Sequence, residues 1–209
     1  MDFKDALLFR HACKVFDENA KISQDEFNDI LEAARLSPSS MGIQPWDLEI
    51  IRDKDLRLNL RQACWDQIQL TSAAEVVVIY AKIADLDPNS DYIKQRVSSR
   101  SDKTKSEQEA YLQTYANLIR TNIGQTPDLV YSWARAQCFL AAQNMMMQAA
   151  FLEIDTCPIE GYDINKLNKA LNLNDPNQKR VALILCFGKR IRPAQAKLRR
   201  TLDEIIKYR

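Results

Sequence analysis

The sequence predicts a small β-sheet wrapped by helices, because helical patterns are many and strand patterns are few. Residues 75–81 and 180–188 are apolar runs typical of strands that are buried on both faces. Residues 47–52 predict a third, shorter strand. A chain of 209 residues is long enough for one domain with a full core, and we predict a single domain over 1–209.

The first third of the chain predicts three helices separated by loops. Apolar residues at helical spacing indicate a helix over 2–11 and another over 55–70. Between them, Ser23 and Glu26 form a capping-box pattern that begins a helix ending near Leu36. The Ser- and Pro-rich stretch that follows, residues 37–42, has the composition of a loop.

The remaining helices surround a long polar segment. Residues 85–126 are polar, and we predict a helical excursion or lid there, with a helix from about 105 to 122. Residues 133–152 predict a long core helix, and leucines indicate another helix over 167–171. A last helix is expected from Leu202.

Composition and charge exclude several classes of protein. A formal net charge of +1 predicts no bulk attraction to nucleic acid or to anionic membranes. The apolar segment 133–152 carries too many polar groups to face lipid, and no signal peptide is evident, so we expect a cytoplasmic protein. The five cysteines are scattered and suit reduced thiols. A single histidine, His11, argues against a zinc site and against a Ser-His or Cys-His hydrolase.

The stretch 156–163 contains the one Glu-Gly pair of a chain that has only four glycines. Pro158 withholds an N–H, so the next free donors belong to Ile159, Glu160 and Gly161. We predict a turn that presents backbone N–H groups to the edge of a flat ligand. An ordinary turn between a helix and a strand is the alternative.

Two short basic clusters could clamp a phosphate from two sides. One contains Arg10, His11 and Lys14, and the other contains Lys197, Arg199 and Arg200. The sequence has no glycine-rich phosphate loop and no GxSxG elbow, so side-chain cations would have to hold any phosphorylated ligand. Two solvated surface patches are the alternative.

Four motifs occur along the chain in a distinctive order. They are Arg10-His11-x-x-Lys14-x-Phe16-Asp17, Ser37-Pro38-Ser39-Ser40 with Gln44-Pro45-Trp46, Pro158-Ile159-Glu160-Gly161-Tyr162-Asp163, and Lys197-x-Arg199. Their order and spacing resemble the nitroreductase family of FMN-dependent NAD(P)H oxidoreductases. The resemblance covers essentially the whole chain, and the middle segment 85–126 is covered least.

The resemblance implies a fold and an activity. The fold is α+β, with a small, mostly antiparallel central sheet, in an obligate homodimer that shares two FMN sites. The activity is NAD(P)H-dependent reduction of nitroaromatics, quinones or similar conjugated acceptors by ping-pong hydride transfer through flavin N5. NADH or NADPH would be the reductant. No metal is expected, and neither are nucleic-acid or membrane partners.

The resemblance also implies roles for individual residues. Glu160 would shape the pocket and place its own N–H near N5, and would not act as an acid or base. Three residues, Trp65, Ile119 and Phe139, are candidates for pocket walls, with core packing as the alternative for each. The cofactor-binding set would be Arg10, His11, Ala12, Lys14, Pro38, Ser39, Ser40, Asp66, Gln69, Pro158, Ile159, Glu160, Gly161, Lys197 and Arg199.

The chain departs from the commoner family pattern at three of these positions. Ala12 stands where many relatives have serine, which removes one hydroxyl contact to the flavin. Asp66 replaces the usual asparagine, so it can accept a hydrogen bond but cannot donate one. Gln69 stands where some relatives have lysine.

Three other functions stay open on the sequence alone. A flavin or pteridine reductase would belong to the same family. A non-catalytic dimer that binds flavin is a second possibility. A small helical interaction protein with two basic patches and no cofactor is the third.

Overall fold

The computed structural model describes all 209 residues and contains one four-stranded sheet. Its order is β1-β2-β4-β3, and every neighbouring pair is antiparallel. The predicted α+β class with an antiparallel central sheet is therefore confirmed. The strands are β1 (Trp46–Ile50), β2 (Glu75–Lys82), β3 (Asp155–Ile159) and β4 (Lys179–Gly188).

Eight α-helices surround this sheet. None of them combines the length and the hydrophobicity that a membrane span needs. They are α1 (Phe3–Phe9), α2 (Gln24–Arg35), α3 (Lys54–Ala63), α4 (Gln69–Ser72), α5 (Asp91–Ser98), α6 (Lys105–Leu118), α7 (Pro127–Phe151) and α8 (Ile164–Ala170).

Helices cover both faces of the sheet, so the two middle strands are buried on both sides. In β2, Val77 and Ile79 join a core that includes residues of α2 and α7. The alternate residues Val76 and Val78 join a second core with residues of α3, α4 and α8. This alternation follows from the two-residue period of a strand. It explains why residues 75–81 read as a continuous apolar run.

A β-bulge in β4 accepts hydrogen bonds from side chains of the long helix α7. The register of β2 against β4 shifts after Ile79, which leaves Ala182 as the extra residue. The Tyr131 hydroxyl donates to the Val181 carbonyl at 2.8 Å, and Arg135 Nε donates to the Ala182 carbonyl at 3.2 Å. Side chains of α7 thus satisfy carbonyls at the irregular point of the sheet.

Two of the predicted helices are wrong. The one expected over 55–70 breaks after Ala63, because Trp65 and Asp66 adopt φ values of 56° and 57° that no right-handed helix contains. The one expected from Leu202 is only a short turn, with its side chains exposed. Without a core to pack against, so short a segment has little to stabilise it as a helix.

The predicted turn over 156–163 is also wrong in its first part. Residues 155–159 form β3 at the edge of the sheet, and only the residues after Ile159 leave the ladder. Pro158 conceals this strand in the sequence. Because proline has no N–H to donate, sheets accept it chiefly on edge strands, and β3 is one.

The polar segment 85–126 folds as α5 and α6, followed by a π-helical turn over Ile119–Ile123. It buries Ile93, Tyr115 and Ile119 in the same core as α7. The Tyr115 hydroxyl, fully buried, donates to the Leu86 carbonyl at 2.7 Å. The predicted helix of this segment is confirmed by α6, and its role as a lid stays a prediction.

Replacing Tyr115 by Phe should lower the free energy of unfolding by about 1–3 kcal/mol, because the buried Leu86 carbonyl loses its side-chain donor. Urea unfolding measures the change. Tyr208→Phe, at a position that is 93% exposed, is the matched control and should leave stability unchanged. Equal stabilities of the two variants would contradict this account of how the segment is anchored.

Candidate functional site

The N-terminal segment 10–17 pairs with the ends of two strands. Ala12 forms a parallel bridge with Thr156 of β3, and the Cys13 N–H donates to the Thr156 carbonyl at 2.9 Å. Further on, Phe16 bridges Arg190, just past the end of β4. This pairing covers part of the free edge of β3 and brings the first basic cluster beside the strand that leads to Gly161.

A groove of about 540 Å³ lies between residues 10–15 and 192–199. The two basic clusters form its walls: Arg10, His11 and Lys14 on one side, and Lys197 and Arg199 on the other. The structure thus brings together residues that are almost the full chain length apart. No acidic residue lines the groove.

Positive charge is crowded in this groove. Burial lowers the pKa of Lys197, and the nearby Arg10 and Arg199 lower it further. The pKa of Arg10 is likewise lowered by burial and then by Arg199. The Lys197 ammonium donates to the Arg10 carbonyl, which holds the two walls together. The smaller part of these shifts, which comes from the neighbouring cations, reflects their mutual repulsion, and an anion in the groove would relieve it.

His11 faces a buried carboxylate at one end of the groove. Its Nδ1 lies 3.5 Å from Asp155 Oδ1, and Arg190 Nη2 lies 2.8 Å from the same oxygen. The Arg190 N–H donates to the other oxygen at 2.8 Å. Burial lowers the pKa of His11, with Arg190 adding to the effect and Asp155 opposing it. Burial thus favours the neutral imidazole.

The turn after β3 is fixed on both sides. Arg135 of α7 donates to the Glu160 carboxylate, and Gln67 Nε2 donates to the Gly161 carbonyl at 3.1 Å. The Trp65 ring packs so closely that a Cβ on Gly161 would lie 2.4 Å from Trp65 Cζ3. The N–H groups of Glu160 and Gly161 donate no hydrogen bond within the chain. The turn thus has two backbone donors that no group of the chain uses, and their contact with a ligand stays a prediction.

Asp66 and Gln69 have different surroundings. The Asp66 carboxylate is paired with Arg61, at 2.7 Å to Nε and 3.1 Å to Nη2, and its side chain is 73% exposed. Gln69 begins α4, is buried, and lies close enough to the Cys157 thiol to oppose the rise in its pKa that burial causes. Gln69 therefore lies beside β3, whereas Asp66 is oriented by an arginine of its own helix–loop unit.

The loop with Pro38, Ser39 and Ser40 is not part of this groove. Ser39 and Pro38 line a separate pocket of about 420 Å³ with Arg96 and Arg100. The Ser40 N–H donates to Gln137 Oε1 of α7 at 2.8 Å. Within one chain, then, this part of the predicted site is not assembled with the rest.

The predicted pocket walls do not form one surface within the chain. Trp65 is 71% exposed and contacts Gly161. Phe139 packs on the core, with the Arg135 guanidinium 5.0 Å from its ring centroid. Ile119 is buried in the core and lines another cavity with Pro88 and Val130. The roles of all three stay predictions.

Sequence reasoning missed three residues that orient the site. They are Arg135, which holds Glu160; Gln67, which holds the Gly161 carbonyl; and Asp155, which faces His11. Only Arg135 left a visible signal, as the one charged residue of segment 133–152. Such a charge in a core helix needs a partner.

Most of the chain matches a protein-family model. A model described as "Nitroreductase family" matches residues 7–189. The chain belongs to the nitroreductase family. Two relatives agree: "Putative NAD(P)H nitroreductase SERP2086" of Staphylococcus epidermidis is 36% identical over 98% of this chain and 95% of its own. "Putative NAD(P)H nitroreductase YfkO" of Bacillus subtilis is 33% identical over 98% of this chain and 96% of its own.

Solved structures of the nitroreductase family share the fold. The Bacillus subtilis protein described as "putative nitroreductase ydfN" superposes with a TM-score of 0.85 at 23% identity, over 99% of this chain and 98% of its own. A structure from Exiguobacterium sibiricum, described as a "putative nitroreductase in complex with FMN", gives a TM-score of 0.83 at 21% identity, over 100% and 98% of the two chains.

The contact between Gly161 and Trp65 gives a testable consequence. Gly161→Ala should lower the free energy of unfolding by about 1–3 kcal/mol, because the new Cβ meets the Trp65 ring. The same substitution made in a Trp65→Ala background should cost little, since the obstructing ring is gone. Chemical denaturation of the four proteins completes the double-mutant cycle. A cost that is the same in both backgrounds would contradict the contact.

Proposed function

We propose that the protein is an FMN-dependent NAD(P)H oxidoreductase that reduces nitroaromatics, quinones or similar conjugated acceptors. One observation carries the proposal. A cation-lined groove without a single acid is bounded on one side by residues 10–15, which pair with the edge strand β3. The same strand leads to a turn whose two N–H donors are used by no group of the chain. A ligand with a phosphate at one end and a flat, polar-edged ring system at the other suits that combination.

The groove fits the phosphate end. Lys197, Arg199 and Arg10 have no carboxylate partner, and their mutual repulsion is relieved by a dianion. Arg can bind two phosphate oxygens at once through its planar fork, and Lys adds a point charge. The residues present therefore fit a phosphate monoester such as that of FMN.

The turn after β3 fits the ring end. Pro158 and Ile159 lie in β3, directly before the turn. The Glu160 and Gly161 N–H groups are free to donate to an acceptor on the edge of a ring. When bound there, FMN would take hydride from NADH or NADPH and pass it from N5 to the acceptor in a ping-pong cycle. The protein would hold the flavin ring and leave one face of it accessible to the nicotinamide and to the acceptor.

Glu160 serves this role through its backbone. Its carboxylate is held by Arg135, which in turn donates to the Ala182 carbonyl at the bulge of β4. Hydride transfer itself needs no general acid, so Glu160 positions the donors of the turn and shapes the nicotinamide pocket.

A second copy of the chain would complete the site. Pro38, Ser39 and Ser40 lie outside the groove of their own chain, as expected if they contact the flavin of the neighbouring subunit. Large apolar side chains are exposed on α1 and after β4, where a dimer would bury them. Among them are Phe3, Leu8, Leu198 and Leu202.

The names of the relatives support the same activity. Two proteins that are 36% and 33% identical over almost the whole chain are named as NAD(P)H nitroreductases. A structure with the same fold contains FMN. We propose NADH or NADPH as the electron donor and FMN as the cofactor on these grounds together with the groove.

Removing the phosphate clamp should release the cofactor. In Lys197→Ala/Arg199→Ala, the Kd for FMN should rise by about 10²- to 10⁴-fold, because two charge-assisted contacts of roughly 1.5–3 kcal/mol each are lost. Fluorescence titration of the apoprotein with FMN measures the Kd.

A second double variant, Lys166→Ala/Lys169→Ala, controls for the change in net charge. Both lysines are exposed on α8 and line no part of the groove. FMN should bind to this control as it does to the wild type. Retention of tight FMN binding in Lys197→Ala/Arg199→Ala would show that the clamp is misplaced.

A further inference from the structure

The loop that carries Ser39 and Ser40 continues into a backbone of unusual conformation. Met41, Gly42 and Gln44 all have positive φ, at 53°, 60° and 53°. Residues other than glycine rarely adopt this region, and such conformations persist only where the surrounding structure imposes them. Something outside residues 41–44 must therefore hold them.

The carbonyl oxygens of four successive residues lie within hydrogen-bond distance of side-chain donors from outside the loop. Arg100 Nη2 donates to Met41 at 2.7 Å, and Arg96 Nη2 donates to Gly42 at 3.2 Å. The Tyr92 hydroxyl lies 2.9 Å and 2.7 Å from the carbonyl oxygens of Ile43 and Gln44. All these donors belong to α5 or to the residues just after it.

Helix α6 adds a further contact at the same place. The Tyr111 hydroxyl donates to the Met41 carbonyl and accepts from Arg100 Nη2 at 2.6 Å. The Arg100 guanidinium also lies over the Tyr111 ring, 4.0 Å from its centroid. Neither Arg96 nor Arg100 is paired with a carboxylate, so backbone carbonyls are their main partners.

These contacts reach the serines through one hydrogen bond. The Gln44 N–H donates to Ser39 Oγ at 2.8 Å, and the Tyr92 hydroxyl fixes the carbonyl of the same Gln44. On its inner side the loop is tied to α7, where Gln137 accepts from the Ser40 N–H and Asn144 donates to Ser37 Oγ, each at 2.8 Å.

We infer that Tyr92, Arg100 and Tyr111 are positioning residues for cofactor binding. They hold residues 41–44 in the strained conformation that presents Ser39 and Ser40 to the FMN of a second subunit. These three side chains, rather than the segment 85–126 as a whole, are in this account the support of the neighbouring flavin site. The inference rests on the proposed function, because that function supplies the FMN contact of the serines.

The test compares the loss of tyrosine hydroxyls that contact the loop with the loss of one that contacts a carbonyl elsewhere. Tyr92→Phe/Tyr111→Phe frees the loop, whereas Tyr115→Phe removes a hydroxyl-to-carbonyl bond one helical turn further along α6 and leaves the loop untouched. Fluorescence titration with FMN and hydrogen exchange of the 39–44 amides are the two readouts. The singles Tyr92→Phe and Tyr111→Phe replace the double variant should it fail to fold.

We expect the Kd for FMN to rise about tenfold in the double variant, with faster exchange of the 39–44 amides. In Tyr115→Phe both should stay at the wild-type values although stability falls. Equal FMN affinities in wild type and double variant would overturn the inference and leave the proposed function standing. A wild-type protein that takes up no FMN would overturn both.

Discussion

The arrangement of this molecule depends on the pairing of residues 10–17 with the free edge of β3. Ala12 and Cys13 meet Thr156, and Phe16 meets Arg190 just after β4. The pairing satisfies backbone groups of an exposed edge strand. It also brings the first basic cluster alongside the turn at Glu160 and opposite the second cluster near the C-terminus. Without it, residues 10–15 would not lie opposite residues 192–199, and the groove between them would not form.

The sheet and most helices could be predicted from the sequence because their signals are local. The runs at 75–81 and 180–188 are apolar on both faces, and Ser23 with Glu26 caps α2 as expected. Predictions failed where tertiary structure decides. The break after Ala63 needs positive φ at Trp65 and Asp66, and β3 contains a proline that only an edge strand accommodates.

The candidate site, like the fold, was predictable from the sequence only in part. Residue types at the groove and turn were visible in the sequence, and the structure brings Arg10, Lys14, Lys197 and Arg199 together. The supporting contacts were not visible. Arg135 reaches Glu160 from a helix 25 residues earlier, and Tyr111 reaches Met41 across 70 residues. Such long-range pairs depend on how elements pack, and no local pattern encodes that.

The absorption spectrum of the purified protein incubated with FMN tests the central claim most directly. After free FMN is removed, spectra are recorded under anaerobic conditions before and after addition of NADPH, and separately of NADH. A retained flavin band that bleaches with either nucleotide is the predicted result, and the faster nucleotide identifies the donor. A band that neither nucleotide bleaches would contradict the oxidoreductase activity. A colourless protein would contradict the flavin site itself.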